Sequence, residues 1–472
     1  MAAATTIVPM LDPSAVAEFV GTLRGAVIQP DDPTYDETRS VRNGLIDRCP
    51  ALIVRCSGTA DVVAAVTFAR ENDLLLSIRG GSHNVSGAAT NDGGIVIDLS
   101  TMRGVRVDPA ARTVRVQGGA TWGDVDRGTQ LFGLATPGGV VSTTGVGGLT
   151  LHGGWGWLRR KFGYCVDNLV SVDIVTADGQ VRTASETENQ DLFWAVRGAG
   201  SNFGVVTSFE FQLHPVGPEV ALAAPVYALE DAERVLPAWR DFMATAPDEV
   251  SSSALFWGIP AVEAFPAELH GRAVLILATV YAGDGAEGER VLQPIRQLTT
   301  PLLDLSGTMP YATLQGAFDP FFPKGWLYYW KSLYLDRLDD KAMSAIIAYA
   351  AERPSPDALM GLWHLGGGAA GRVASEATAF GSRTAPYLLS FDTTWTNPAD
   401  SERNIAWTRS AWADMRRFGS GGLYLNFAGF GEEKEALVRA GYGANYTRLV
   451  DLKTKYDPSN LFRMNQNIRP RG

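Results

Sequence analysis

Arg79-Gly-Gly-Ser-His-Asn-Val-Ser-Gly87 is the first stretch whose residue types suggest chemistry. Paired glycines let successive backbone N–H groups turn inward and form an anion-binding concavity. Ser82 and Ser86 add hydroxyl donors, so the turn suits a pyrophosphate. A single turn of this kind would read as a polar hairpin. Here two more follow, Pro137-Gly-Gly-Val-Val-Ser-Thr-Thr-Gly-Val-Gly-Gly148 and Gly153-Gly-Trp-Gly156. Three such turns read as backbone folded closely around a ligand, where a side chain would be in the way.

The chemistry that is missing narrows the field. There is no Gly-x-x-x-x-Gly-Lys-Ser/Thr phosphate loop, no His-Glu-x-x-His and no Gly-x-Ser-x-Gly elbow. The five histidines, at 83, 152, 214, 270 and 364, are scattered, so no metal site is expected. Gly198-Ala-Gly-Ser-Asn-Phe-Gly204 comes nearest to a dinucleotide fingerprint, but it leads into a strand and not a helix.

The elements that must position these turns are short. Residues 61–70 have helical apolar spacing, with Thr59 or Asp61 as cap. Residues 74–79, 94–98, 113–117, 171–176, 181–183 and 205–213 read as strands, and Ala177-Asp-Gly-Gln180 is a hairpin signal. After Pro215 glycine thins out. Helical patterns at 229–244 and 341–351 then alternate with strands at 273–281 and 387–391. A last helix, 445–455, stops at Asp457-Pro-Ser-Asn460, since proline cannot continue it. The expected organisation is α+β, with one unit over 1–214, a second over 215–418 and a C-terminal segment, 419–472, that returns to the first.

Composition fits this reading. The 472 residues suit two or three domains. There are 51 glycines, where the usual ~7% would give about 33. The net charge of −10 and the lack of a basic run argue against nucleic acid as a partner. Residues 1–14 do not read as a signal peptide and no apolar stretch is long enough to span a membrane, which makes a cytoplasmic location the default, with secretion left open. Three cysteines, Cys49, Cys56 and Cys165, are no disulfide framework, and spacing alone does not argue a Cys49–Cys56 bridge.

Arg79-Gly-Gly-Ser-His83, with Asn84 and Gly87, resembles the covalent flavin-attachment turn of the berberine bridge enzyme-like family, part of the vanillyl-alcohol oxidase superfamily. Gly145-Val-Gly-Gly148 with Gly153-Gly-Trp-Gly156 is similar to that family's flavin-contacting loops. Lys161-Phe-Gly-Tyr-Cys-Val-Asp-Asn-Leu169 resembles the segment that supplies a second, cysteinyl link. Asp191 to Gly204, which runs on to Val205, and Tyr442 to Phe462 resemble its later signatures. The resemblance runs in order from about residue 45 to the end. It implies a two-part FAD-binding domain of the vanillyl-alcohol oxidase type and a substrate domain whose antiparallel sheet is covered by helices.

The resemblance also implies roles. FAD would be bound bicovalently, through His83 to the 8α-methyl carbon and through Cys165 to ring carbon C6. Cys165 would react as a thiolate, for which a lowered pKa is expected, although a free cysteine is usually a small buried apolar residue. Tyr424-Leu-Asn426 fits the family's Tyr-x-Asn motif, in which the tyrosine is the base for hydride transfer to flavin N5. Period-two spacing would put Tyr424 and Asn426 on one face of a strand. A tyrosine titrates near ~10, so something besides Asn426 must lower it. A partner is expected from strand 387–394, where Ser390, Asp392 and Thr394 share one face and Tyr387 takes the other. His152 reads as structural. Trp155, Trp157 and Tyr164 could line the pocket, although aromatics are more often core. The aromatic run 321–330, Phe427 and Phe430 are candidate pocket walls.

The implied activity is that of an oxidase. A sugar lactol, an alcohol or a secondary metabolite would be oxidised, and O2 reduced to hydrogen peroxide. The alternatives are a dehydrogenase with another electron acceptor and a catalytically weak flavin-binding protein.

Overall fold

The computed structural model describes residues 11–429 and 435–471. Phe430 lies outside the described residues. Among the described residues, three larger sheets and the helices that cover them build the site.

The first sheet has four strands in the order Ala26–Ile28, Leu52–Arg55, Ile95–Asp98, Leu76–Arg79. Its last three strands are parallel, and their apolar runs are buried on both faces, as such sheets require. Helix Thr59–Glu71 covers it, with Val62, Ala65, Val66 and Ala69 fully buried. Asp61 is not this helix's cap, since the cap is Gly58. Instead its carboxylate gathers N–H donors from Arg24, Gly25 and Ser57, which keeps its pKa below the usual value against the opposing effect of burial. The second sheet is antiparallel, in the order Val105–Asp108, Thr113–Gln117, Val205–Gln212, Leu169–Val175, Val181–Ser185. Asp178-Gly179 turns its last hairpin as expected, with Gly179 at φ +78°.

The third sheet is antiparallel throughout. Its path runs Leu303–Asp304, Pro225–Ala228, Ala273–Tyr281, Val250–Gly258, Leu359–His364, Tyr387–Trp395, Leu327–Leu335. Helices Ala232–Thr245, Asp340–Ala351 and Ser401–Met415 cover one face. Strand Tyr387–Trp395 decides which side chains turn away from them. Tyr387, Leu389 and Phe391 enter the helix-covered core, while Leu388 packs on the opposite side with Trp155, Trp157, Trp363 and Tyr424. Ser390 and Asp392 share the parity of Leu388, so they face that second side.

The chain's end packs back on the antiparallel sheet of the first half. Tyr442, Tyr446, Leu449 and Leu452 join one core cluster with Val114, Trp194 and Phe209. Helix Tyr446–Tyr456 ends at Asp457, whose carboxylate accepts from the N–H groups of Leu461 and Phe462. Lys453 reaches the same carboxylate at 2.6 Å, with neither side chain exposed. No helix among the described residues is long and apolar enough to cross a membrane. Cys49 is exposed and Cys56 buried, and both are free thiols.

Candidate active site

A cavity of about 220 Å³ lies where the three sheets meet. Gly80, Gly81, Ser82, His83 and Asn84 line it on one side. Gly145, Gly147, Gly148 and Gly204 line it from the first half's other loops, and Tyr424 and Asn426 from the C-terminal segment. Two glycine loops meet there backbone to backbone. A Cβ on Gly81 would sit 2.3 Å from Gly145 N, and one on Gly145 would sit 2.4 Å from Gly81 N. Gly145 also caps helix Val146–Thr150, whose leading N–H groups lack intrahelical acceptors. A Cβ on Gly148 would meet nothing within 4 Å, which leaves open space at the helix start. A glycine cradle rich in N–H donors fits the pyrophosphate of FAD.

The other expected cofactor residues stand behind this wall. Arg79 is buried, and its guanidinium donates to the carbonyls of Thr38, Arg39 and Ala89, so it holds the N-terminal segment to the turn. Gly87 packs on Ile46, Gly153 on the Phe380 ring and Gly156 on the carbonyl of Gly138. A Cβ on Gly154 would lie 2.6 Å from Cys165 Sγ. Val146 and Val205 are core residues with no exposure. These positions serve close packing and do not line the cavity.

His83 reaches the cavity edge. Its Nε2 lies 3.0 Å from Thr143 Oγ1, and its Nδ1 lies 3.4 Å from Thr144 Oγ1. Burial, and then the charge of Arg42, hold its pKa well below the ordinary value. The imidazole is therefore neutral near pH 7 and keeps a lone pair. Cys165 differs from the expectation. It has no exposed surface, packs in the core behind Gly154 and does not line the cavity. Burial, with Asp167 adding to it, pushes its thiol well up and not down.

Tyr424 and Asn426 do meet, but not on a strand. Tyr424 precedes a 3-10 turn, Leu425–Phe427, which folds Asn426 back so that its Nδ2 donates to Tyr424 Oη at 2.9 Å. The backbone N–H of Tyr424 donates to Ser332 Oγ at 3.2 Å. Burial raises the Tyr424 pKa, and the Asn426 hydrogen bond opposes it with a smaller effect.

Asp392 is the titratable group that the sheet brings to this pocket. Leu359 and Trp330 are its cross-strand neighbours, and all three line the cavity. Ser390 Oγ donates to Asp392 Oδ2 at 2.9 Å, while Oδ1 has no hydrogen-bond partner among the described residues. Burial raises this carboxyl to about 7. Trp155, Trp363 and Phe427 complete an aromatic wall, with the rings of Trp155 and Trp363 4.6 Å apart.

Of the aromatic run, Phe322, Tyr328 and Trp330 line the cavity. Trp157 and Tyr164 are core. His152 lines the cavity too, with Nε2 3.0 Å from Ser201 Oγ. Sequence reasoning missed Arg42, Ser201, Met464 and Asn465 on this wall. Met464 and Asn465 follow the C-terminal signature directly, and that proximity was the available signal. Among the described residues no group of three or more His, Cys, Asp or Glu could hold a metal ion.

The chain is similar to known proteins along most of its length. A family model for an FAD binding domain matches residues 50–185, and a model described as berberine and berberine like matches 423–469. An FAD-linked oxidoreductase of Dictyostelium discoideum is 32% identical over 96% of this chain and 97% of its own. The (R)-6-hydroxynicotine oxidase of Paenarthrobacter nicotinovorans is 30% identical over 96% of this chain and 98% of its own. The crystal structure of 6-hydroxy-D-nicotine oxidase from Arthrobacter nicotinovorans superposes with a TM-score of 0.85 at 30% identity, covering 95% of this chain and 98% of that one.

Proposed function

Since the chain belongs to the berberine bridge enzyme-like FAD-linked oxidoreductases, we propose that it is an oxidase holding FAD through one covalent bond, from His83, and that Asp392 takes the substrate proton while Tyr424 orients the reacting group. The observation that carries this reading is that His83, Tyr424 and Asp392 line one continuous cavity while Cys165 does not. Bound FAD supplies the two-electron acceptor for the substrate's hydride. The rest is the chain's own work.

The glycine turns 80–84 and 145–148 would hold the pyrophosphate with N–H donors, and His83 would fix the ring edge. Asp392, with Oδ1 free and a pKa near neutrality, suits a general base, because the best catalytic base titrates near the working pH. Tyr424, raised by burial, keeps its proton and would donate a hydrogen bond to the substrate heteroatom, with Asn426 fixing its ring. The aromatic wall would exclude water and stack against a flat substrate. An oxidisable small molecule with an apolar or aromatic body fits this surface better than a chain of sugars, which needs many hydrogen-bonding partners.

Acid-precipitated protein tests the attachment. Yellow colour should stay with the chain in the wild type and in Cys165→Ala, and should leave it in His83→Ala. Covalent colour that persists in His83→Ala would restore the second link, through Cys165. Turnover of amine or alcohol substrates under air should release peroxide, and turnover that needs an added dye would make the enzyme a dehydrogenase.

A further inference from the structure

Arg42 belongs to no motif, yet it joins the attachment turn to two other segments of the cavity wall. Its backbone N–H donates to the carbonyl of Ser82, and its own carbonyl accepts from Gly325 N. One guanidinium nitrogen donates to the carbonyl of Phe322. The other, Nη2, donates to Thr143 Oγ1 at 2.8 Å, and the same oxygen lies 3.0 Å from His83 Nε2. The result is a three-member chain, Arg42–Thr143–His83, laid along the cavity wall. Arg42 and His83 both line that cavity.

From this chain, and resting on the reading that His83 carries the flavin, we infer that Arg42 and Thr143 are positioning residues for the attachment reaction. Thr143 Oγ1 accepts from the guanidinium and is thereby held in place beside one imidazole nitrogen. The ring is pinned at Nε2, where Thr143 meets it, while Nδ1 has only the longer 3.4 Å approach of Thr144. One orientation of the imidazole is thus held before FAD arrives, which lowers the entropy cost of bond formation.

Attachment forms one N–C bond and removes two hydrogens, one from the flavin methyl C–H and one from the imidazole N–H. The electron pair released goes to the flavin ring and then to dioxygen, and both hydrogens leave as hydrogen peroxide. Arg42 does not enter this balance. Its charge faces His83 directly, and Asp319 and Tyr328 face Arg42 in turn. Removing that charge should let His83 hold its proton to a higher pH, which would shut off its lone pair on the acid side.

The test uses the full-length chain produced in riboflavin-depleted cells and mixed with FAD under air. Acid-precipitable flavin fluorescence is followed with time across pH. Thr143→Val should attach about tenfold more slowly, the effect of losing roughly one hydrogen bond, and Thr143→Ser should recover the wild-type rate. Arg42→Lys should slow attachment but keep the acid limb of the pH–rate curve, whereas Arg42→Gln should slow it and move that limb to higher pH. Non-covalent FAD binding, read by filtration before attachment, should change less than about twofold in Thr143→Val and Thr143→Ser. Wild-type rates in Thr143→Val and Arg42→Gln at every pH would overturn the proposal. So would loss of non-covalent binding in both Arg42 variants, which would assign Arg42 to the fold. If the wild type itself acquires no covalent flavin, attachment at His83 fails and the positioning role falls with it.

Discussion

At the residue scale the two candidate proton acceptors are separated by their surroundings. Tyr424 is buried, and although hydrogen bonds from Asn426 and the Gly154 backbone oppose it, the desolvation that raises its pKa is the larger effect. Asp392 is buried too, but a carboxyl raised to about 7 loses its proton within the physiological range. Activity limited by this base should therefore rise as pH climbs through about 7. Asp392→Asn is expected to lower kcat by about 10²–10³-fold and to flatten that acid limb. Tyr424→Phe is expected to lower it by about tenfold, one lost hydrogen bond in the transition state, and to leave the limb in place. Should Tyr424→Phe be the variant that abolishes the limb, the base is Tyr424. The measurement is kcat/KM against pH for both variants.

At the element scale the decisive feature is the contact between two glycine turns. Gly81 and Gly145 approach so closely that neither can carry a side chain while the loops keep their separation. The obstacle in each case is backbone and not a flexible side-chain tip, so the loops themselves must move. Gly81→Ala should therefore open the cradle. The expected outcome is at least about tenfold weaker retention of FAD before attachment, measured as flavin per chain after gel filtration. Retention equal to wild type would show that the cradle is not set by this contact. Strand Tyr387–Trp395 makes a second point at this scale. Its period of two divides Leu389 and Phe391, in the helix-covered core, from Ser390 and Asp392 on the cavity side.

At the scale of the whole molecule the two halves meet through buried polar groups. Gln315, on helix Tyr311–Gly316, donates to Asp126 Oδ2 at 3.1 Å and to the carbonyl of Gly139, a cavity-lining residue. Asp126, on helix Trp122–Thr129, keeps Oδ1 unpaired among the described residues, and burial raises its pKa from 3.8 to about 7. The native state therefore binds this proton more tightly than the unfolded chain does. The neutral carboxyl contributes its full stability below 3.8, and that contribution is lost as pH rises to about 7. Asp126→Asn cannot ionise and keeps an oxygen that accepts from Gln315 Nε2. It should raise Tm at pH 8 by about 2 °C or more, with the gain shrinking toward pH 5. A Tm difference that does not change with pH would remove the assignment.

What the sequence determined by itself was whatever depends on local pattern. The glycine turns, the Asp178-Gly179 hairpin, strand Ala273–Tyr281 and the stop after helix Tyr446–Tyr456 follow from backbone preference and periodicity. The family was legible for the same reason, since its marks are contiguous runs. The tertiary structure alone decided which of those residues share a space. Cys165 follows the cavity-lining Trp155 closely in sequence, yet its side chain packs in the core, against Gly154. Arg42 carries no local signature and reaches the cavity through hydrogen bonds between segments far apart in the chain. Alternation put Asp392 on one face of its strand, and only the packing of the sheet decided that this face is the cavity's. Even Tyr424 and Asn426, correctly paired by spacing, meet through a 3-10 turn that alternation could not foresee. Local sequence fixes conformation over a few residues, but a site is assembled from contacts across hundreds, and those are set by how the sheets pack.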